Sequence, residues 1–201
     1  MTRARTNPLL RLVLLLALAA SAAACGGDDG GGEASATLND ALQAHAEGRI
    51  DEAVDLYKEV IAADPENQYA WYNLGLIHQE RGSANYAEDE YRKALEIDPE
   101  FTPAMFNLAI LLTEAGETDE AIDLYRAVIV LEPENASAHL NLGFLLMETG
   151  NRKEGKAELD QAVALDPTLA SRIPEKIAAD LESVAGASAM PATSATATPS
   201  A

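Results

Sequence analysis

The sequence predicts an all-α fold of stacked helical hairpins, and two ladders of residues with the same period carry that prediction. Four prolines stand 34 residues apart, each directly after an acidic residue, and four glycines show the same spacing. The prolines are Pro65, Pro99, Pro133 and Pro167, and the glycines are Gly48, Gly82, Gly116 and Gly150. Glycine ends helices in a left-handed conformation and proline cannot continue a helix, so each period encodes two helices.

The composition agrees with helices rather than with a β-sheet. Hydrophobic residues make up 48% of the chain, many of them alanine, whereas aromatic residues make up 5%. Alanine favours helices and allows them to pack closely. A single short amphipathic helix cannot bury its apolar face alone, so neighbouring hairpins must stack on each other.

Within each period the residue pattern resembles the tetratricopeptide repeat, W-x2-L-G-x2-Y followed by A-x3-F, A and P. The second repeat has Trp71, Leu74, Gly75, His78, Ala87, Tyr91, Ala94 and Pro99. The third has Met105, Leu108, Ala109, Leu112, Ala121, Tyr125, Val128 and Pro133, and the fourth has His139, Leu142, Gly143, Leu146, Gly155, Leu159, Ala162 and Pro167. The first keeps Ala53, Tyr57, Val60 and Pro65 but has lost the pattern of the first helix. The resemblance implies an α-solenoid that winds into a right-handed superhelix.

These patterns divide the chain into segments. The repeats are predicted at 34–67, 68–101, 102–135 and 136–169. A further apolar stripe, with Leu169, Ile173, Ile177, Leu181 and Val184 three or four residues apart, predicts a capping helix at 170–185. Residues 186–201 are mostly Ala, Ser, Thr and Pro, which predicts a disordered tail.

The first 24 residues are predicted to be a secretory signal peptide. Arg3, Arg5 and Arg11 precede an apolar stretch, Leu12 to Ala24, that is too short to span a bilayer and ends in small residues typical of a cleavage site. The end of this stretch, Ala23-Ala24-Cys25, resembles the lipobox of bacterial lipoproteins, although Ala22 stands where leucine is usual. That resemblance implies lipidation of Cys25 and export to the cell envelope; cleavage after Ala24 by the ordinary signal peptidase is the alternative. Residues 25–33 then form a flexible Gly/Asp tether.

In the family, the first helix of each repeat lines a concave face, so the candidate binding residues are sought there. One row at the 34-residue spacing is asparagine in all four repeats: Asn39, Asn73, Asn107 and Asn141. Asparagine is unfavourable within a helix, and its amide can hold an extended peptide backbone. The row resembles the asparagine ladder of O-linked N-acetylglucosamine transferases. The alternative is that these amides serve contacts within the repeats themselves.

Further rows on the first helices are apolar or acidic. The apolar candidates are Tyr72, Leu76, Phe106, Ile110, Leu140 and Phe144, with Leu38 and Leu42 in the first repeat. For each of these residues taken singly, helix-to-helix core is the favoured interpretation, but the large side chains Tyr72, Phe106 and Phe144 indicate a partner site on a face that is expected to be open. Glu80, Glu114 and Glu148 form an acidic row that indicates either a solvated face or a preference for basic partners. The Lys and Arg positions that clamp a terminal carboxylate in chaperone-binding relatives are absent, so carboxylate capture is not predicted.

The remaining observations exclude several classes of function. The formal net charge of −19 argues against a nucleic-acid partner and against an anionic membrane surface, so the membrane is expected to hold the chain by its lipid alone. No catalytic, metal-binding or cofactor-binding motif is found, and neither an enzyme nor a cofactor is predicted. We expect an adaptor that binds a protein or peptide in its groove; the sequence leaves its oligomeric state open, with a monomer favoured. The alternative is a structural subunit of an envelope, secretion or pilus assembly that uses its outer faces.

Overall fold

The computed structural model describes residues 31–175 and 177–178. Every secondary-structure element in these ranges is helical. The α-helices, labelled in chain order, are α1 Gly31–Ala46, α2 Ile50–Ala63, α3 Gln68–Glu80, α4 Ala84–Ile97, α5 Thr102–Ala115, α6 Thr118–Leu131, α7 Ala136–Glu148 and α8 Arg152–Leu165; the 3₁₀ helix Pro167–Arg172 follows. The predicted all-α class is confirmed. The signal peptide, Cys25 and the tail 186–201 lie outside the described residues.

The helices pack as antiparallel hairpins within two compact units, one ending at Ala104 and the other beginning at Met105. In the N-terminal unit, α1 packs against α2 and α3 against α4. One cluster of buried side chains there joins α1, α2 and α3, and includes Ala41, Tyr57, Val60, Leu74 and Ile77. In the C-terminal unit, α7 packs against α8, and Leu140, Leu159 and Leu169 lie in one buried cluster.

The four periodic glycines end the first helix of each hairpin, as the sequence predicts. Their φ angles lie between 73° and 88°, the left-handed region that residues with a Cβ rarely adopt. After α3, the amide of Gly82 donates to the carbonyl oxygen of Gln79 and the amide of Ser83 donates to that of His78. This pair of bonds is a Schellman motif, which satisfies carbonyl groups that the helix end leaves open.

The small residues of the repeat allow the two helices of a hairpin to touch. A Cβ added to Gly75 on α3 would lie 2.7 Å from Cε1 of Tyr91 on α4. In the fourth repeat, a Cβ on Gly155 would lie 2.9 Å from the carbonyl oxygen of Gly143. Ala87, in the second helix of the second repeat, is fully buried. The predicted packing reason for these small residues is therefore confirmed.

The C-terminal end differs from the predicted capping helix at its start. Residues up to Arg172 form the 3₁₀ helix, and helical bonding of the α type resumes only where the amide of Ala178 donates to Pro174 at 3.0 Å. Proline disfavours the helical conformation of the residue before it, which explains the interruption at Ile173. Ile173 and Ile177 pack against the buried cluster of the C-terminal unit. Leu181 and Val184 lie outside the described residues.

Candidate functional site

The asparagine row lies on the first helices, but its members are not equally accessible. Asn39 on α1 is exposed, whereas Asn73, Asn107 and Asn141 are half-buried. The side-chain amide of Asn73 donates to the carbonyl oxygen of Tyr69, one turn earlier on the same helix, at 2.7 Å. Part of the hydrogen-bonding capacity that the sequence assigns to a ligand is thus used within α3.

Asn141 is also engaged inside its own unit. It hydrogen-bonds with the hydroxyl group of Tyr125, which contacts Thr113 as well. Burial raises the pKa of Tyr125 to about 12, and these two hydrogen bonds oppose part of that rise. The Tyr125 side chain is 2% exposed, so Asn141 helps to satisfy a polar group in the core. The interpretation that these amides serve the repeats themselves has direct support at Asn73 and Asn141.

Two of the apolar candidates belong to the core rather than to an open face. Tyr72 is 7% exposed and Leu140 is 1% exposed, so both correct the prediction that they line a groove. Their rings and methyl groups face the second helix of the hairpin: the Tyr72 ring lies 5.8 Å from that of Tyr91, and Leu140 shares a buried cluster with Leu159. A helical period cannot by itself separate an inward position from its neighbour on an open face.

The other apolar candidates keep part of their surface accessible. Leu76, Phe106, Ile110 and Phe144 are half-buried, as are Leu38 and Leu42, which pack against the buried cluster of the N-terminal unit. The acidic row Glu80, Glu114 and Glu148 is fully on the surface. On α3, α5 and α7, partly exposed apolar side chains therefore precede an exposed glutamate on the same helix, whereas α1 carries Leu38 and Leu42 without an acidic member of the row.

An aromatic feature that the sequence reasoning missed lies in the N-terminal unit. Tyr69 on α3 and Phe101, directly before α5, pack edge to face with ring centroids 5.4 Å apart; we call this pair the aromatic ledge. The Tyr69 side chain is 42% exposed. The sequence does contain an indication of this feature. Phe101 occupies the position that is asparagine in the preceding and following repeats, Asn67 and Asn135.

Those two asparagines show what Phe101 replaces. The side-chain oxygen of Asn67 accepts a hydrogen bond from the amide of Ala70 at 3.1 Å, and that of Asn135 accepts one from Ala138 at 3.0 Å. Both are N-caps, which satisfy amide groups that a helix start leaves open. Phenylalanine has no side-chain oxygen, so Phe101 cannot supply to α5 the cap that Asn67 and Asn135 supply to α3 and α7.

Two histidines form hydrogen-bonded pairs with glutamates, each within a single unit. Nδ1 of His78 lies 2.7 Å from Oε2 of Glu90, and Nδ1 of His139 lies 2.6 Å from Oε2 of Glu158. Nε2 of His139 lies 3.0 Å from the carbonyl oxygen of Pro133, where the indole of Trp71 makes the equivalent bond in the second repeat. Burial raises the pKa of Glu90, and its hydrogen bond to His78 opposes the rise.

Both pairs join the two helices of one hairpin, α3 with α4 and α7 with α8. In the ranges that the structure describes, no group of three or more His, Cys, Asp or Glu residues could hold a metal ion. None of the helices described is long and apolar enough to cross a membrane.

The helical hairpins, their left-handed glycine turns and their small contact residues define a tetratricopeptide-repeat fold. Residues 112–173 match the family model described as Tetratricopeptide repeat. Residues 37–128 match the one described as the Cilia and flagella-associated protein 70 middle TPR-like domain. No curated protein sequence matches the chain.

Solved structures agree on the fold. MamA, residues 41 to the end, from Desulfovibrio magneticus RS-1 is similar with a TM-score of 0.63 at 22% identity, over 69% of this chain and 78% of that one. A tetratricopeptide repeat protein from Parabacteroides merdae ATCC 43184 has a TM-score of 0.61 at 23% identity, over 67% of this chain and 54% of that one. The first TPR of Spaghetti (RPAP3), bound to the HSP90 peptide SRMEEVD, has a TM-score of 0.55 at 23% identity, over 58% of this chain and 93% of that one.

Proposed function

We propose that this protein is a non-catalytic adaptor that binds a peptide or helix of another protein with the first helices of its repeats. The observation that carries the proposal is the partly exposed apolar side chains that each unit presents on its own first helices, which we call the apolar stripe of that unit: Leu76 in the N-terminal unit, and Phe106, Ile110 and Phe144 in the C-terminal unit. Partly exposed apolar side chains in a row are typical of surfaces that bind partners. A tetratricopeptide-repeat fold is typical of protein–protein interaction, and a structural neighbour of this chain binds a peptide.

The contacts within the units favour apolar and charged side chains over the asparagines as the binding groups. Asn73 and Asn141 already make internal hydrogen bonds, and Tyr72 and Leu140 are buried. The other candidates that keep accessible surface are the apolar stripe, Asn39, Asn107 and the acidic row. We therefore place ligand contact mainly on the stripe and on Glu80, Glu114 and Glu148.

Anchoring in the cell envelope is a separate part of the proposal. It rests on the lipobox-like Ala23-Ala24-Cys25 and on the short apolar stretch before it. A lipid on Cys25 would hold the repeats close to a membrane, where envelope proteins are available as partners. The intact mass of the mature chain tests this, because wild type would carry a lipid increment that Cys25→Ser lacks; a protein cleaved after Ala24 without lipid would contradict it.

A second function has its own support on α6, the second helix of the third repeat. On α6, Val130 is 78% exposed and Leu131 is 39% exposed, which places two large apolar side chains in solvent. Such a pair suits a subunit that assembles through its outer faces. Replacing both residues by Lys would abolish assembly in that case, whereas it would leave adaptor binding unchanged.

Crosslinking in native envelopes tests the adaptor function directly. A photoreactive residue in place of Leu76 or Phe144 should crosslink to a defined partner, and the same residue in place of Val130 should not. Asn39, exposed on α1, provides a further position on the proposed binding side. Crosslinks that form only from Val130 would support the structural subunit instead.

A further inference from the structure

We propose that the aromatic ledge of Tyr69 and Phe101 holds an arginine or lysine side chain of the bound polypeptide. The inference rests on the proposed adaptor function and names the chemistry of its anchor. The ledge lies wholly within the N-terminal unit, at the start of α3 and directly before α5.

The geometry fixes the ledge in place. The ring of Phe101 packs edge to face on Tyr69 at 5.4 Å and on Tyr72 at 5.3 Å, with interplanar angles of 85° and 88°. Tyr72 in turn contacts the fully buried Tyr91. A chain of rings therefore connects the core to Tyr69, which is 42% exposed. Aromatic side chains held in this way offer a preorganised surface to a ligand.

Phe101 also breaks the pattern of its own repeat. Asparagine at the equivalent positions, Asn67 and Asn135, caps the following helix, and Phe101 gives up that cap for a ring that supports Tyr69. A residue that departs from a favourable local pattern without a gain in its own helix is characteristic of a functional position. We therefore assign the ring of Phe101 to recognition, a role that is gained at the expense of the cap that asparagine supplies at the equivalent positions.

The charges around the ledge select the partner. Residues 31–104 include 16 acidic and five basic residues. Glu66 lies three residues before Tyr69 and Glu100 directly precedes Phe101, and both are exposed in equivalent Asp-Pro-Glu turns. Aromatic faces attract ammonium and guanidinium groups, and nearby carboxylates strengthen that attraction. The same charges repel acidic peptides and phosphate groups.

A peptide selection tests this anchor. The probe is a phage-displayed library of random dodecapeptides, selected on the full chain in detergent micelles. The selected sequences should be enriched in Arg and Lys. A synthetic copy of the best peptide should bind about tenfold more weakly when its key arginine is replaced by citrulline, which keeps the shape and removes the charge.

Three variants locate the binding. Tyr69→Ala and Phe101→Asn should each weaken the peptide by about tenfold, whereas Tyr86→Ala should not, although Tyr86 is 67% exposed. Phe101→Asn installs the residue that caps α3 and α7, so it removes the ring while it supports the helix start. Urea unfolding of each variant tests whether the fold is retained. If Phe101→Asn fails to fold, the peptide affinity of Tyr69→Ala, which removes the exposed ring, tests the proposal.

The outcomes separate the two proposals. Selected peptides without basic enrichment, or peptides that bind Tyr69→Ala as tightly as wild type, would overturn the anchor and leave the adaptor function standing. A selection that yields no binding peptide would overturn the adaptor function and the anchor with it. Basic peptides that lose affinity in both ring variants support the proposal.

Discussion

The hydroxyl group of Tyr91 donates a 2.6 Å hydrogen bond to Oε1 of Gln79, and this pair recurs in altered form in every repeat. The equivalent pairs at 34-residue spacing are Tyr57 with His45, Tyr125 with Thr113, and Leu159 with Met147. Where the second helix carries leucine, the first helix carries methionine, which needs no hydrogen bond. In the second, third and fourth repeats the two rows therefore change together in polarity, because a buried polar atom favours a partner. The first repeat is the exception, since the Tyr57 hydroxyl is buried without a partner among the described residues.

Removal of the Tyr91 hydroxyl is expected to destabilise the protein. Tyr91→Phe leaves Oε1 of Gln79 without its donor in a half-buried site, and we expect a loss of about 1 kcal/mol in the free energy of unfolding. Tyr57→Phe is the matched control, because the Tyr57 hydroxyl is buried without a partner among the described residues. Its removal should be neutral or slightly stabilising. Urea unfolding measures both; equal losses would contradict this account of the row.

Enlarging the small residue at a helix contact should strain the second repeat. Ala87 is fully buried on α4, and its carbonyl oxygen lies 3.4 Å from the position of a Cβ on Gly75. We expect Ala87→Leu to cost about 1–3 kcal/mol of stability by overpacking. Ala62→Leu places the same side chain at an exposed position of α2 and should change stability by less than about 0.5 kcal/mol. Thermal unfolding compares them, and an unchanged Tm for Ala87→Leu would show that the hairpin is not close-packed there.

Much of the fold could be predicted from the sequence because it depends on local rules that repeat. The glycines adopt left-handed φ angles because only that conformation ends the first helix where the period requires it. The sequence does not predict the interruption at Ile173, because the stripe of apolar residues continues on both sides of Pro174 and is compatible with a single helix. Periodicity gives the face of a helix but not each break in its backbone.

Backbone strain at a helix end can be measured separately from packing. Gly116 has φ of 83°, and a Cβ built on it meets no other atom within 4 Å. Gly116→Ala should therefore lose about 1 kcal/mol through the left-handed conformation alone. Gly116→Asn should lose less, because asparagine tolerates this region better. A calorimetric Tm that is equal for wild type and Gly116→Ala would exclude a left-handed turn at this position in solution.

The candidate site was less predictable than the fold. Tyr72 and Leu140 lie on the predicted helix face, but burial depends on the side chains of the facing helix, which a single period does not contain. Asn73 and Asn141 use internal acceptors and donors that become visible only when the helices are placed. The aromatic ledge is indicated by a departure from the repeat rather than by the repeat itself, because Phe101 stands where the neighbouring repeats have asparagine.

The buried Glu90 gives the stability of the second repeat a defined dependence on pH. Burial raises the pKa of Glu90, and the negative charge of Asp89 raises it further. The hydrogen bond to His78 and the positive charge of Lys58 lower this pKa in part. A raised folded pKa means that the folded state keeps the proton to a higher pH than the unfolded state does. The stabilising contribution is thus complete below the ordinary glutamate pKa and is lost as pH rises through the folded value.

Glu90→Gln removes the titration, so its stability relative to wild type should increase from about pH 4 to about pH 7 in urea unfolding. Glu88→Gln, at a partly exposed position on the same helix, is the control and should show a smaller change. A difference between Glu90→Gln and wild type that stays constant across this range would show that Glu90 has an ordinary pKa in the folded protein.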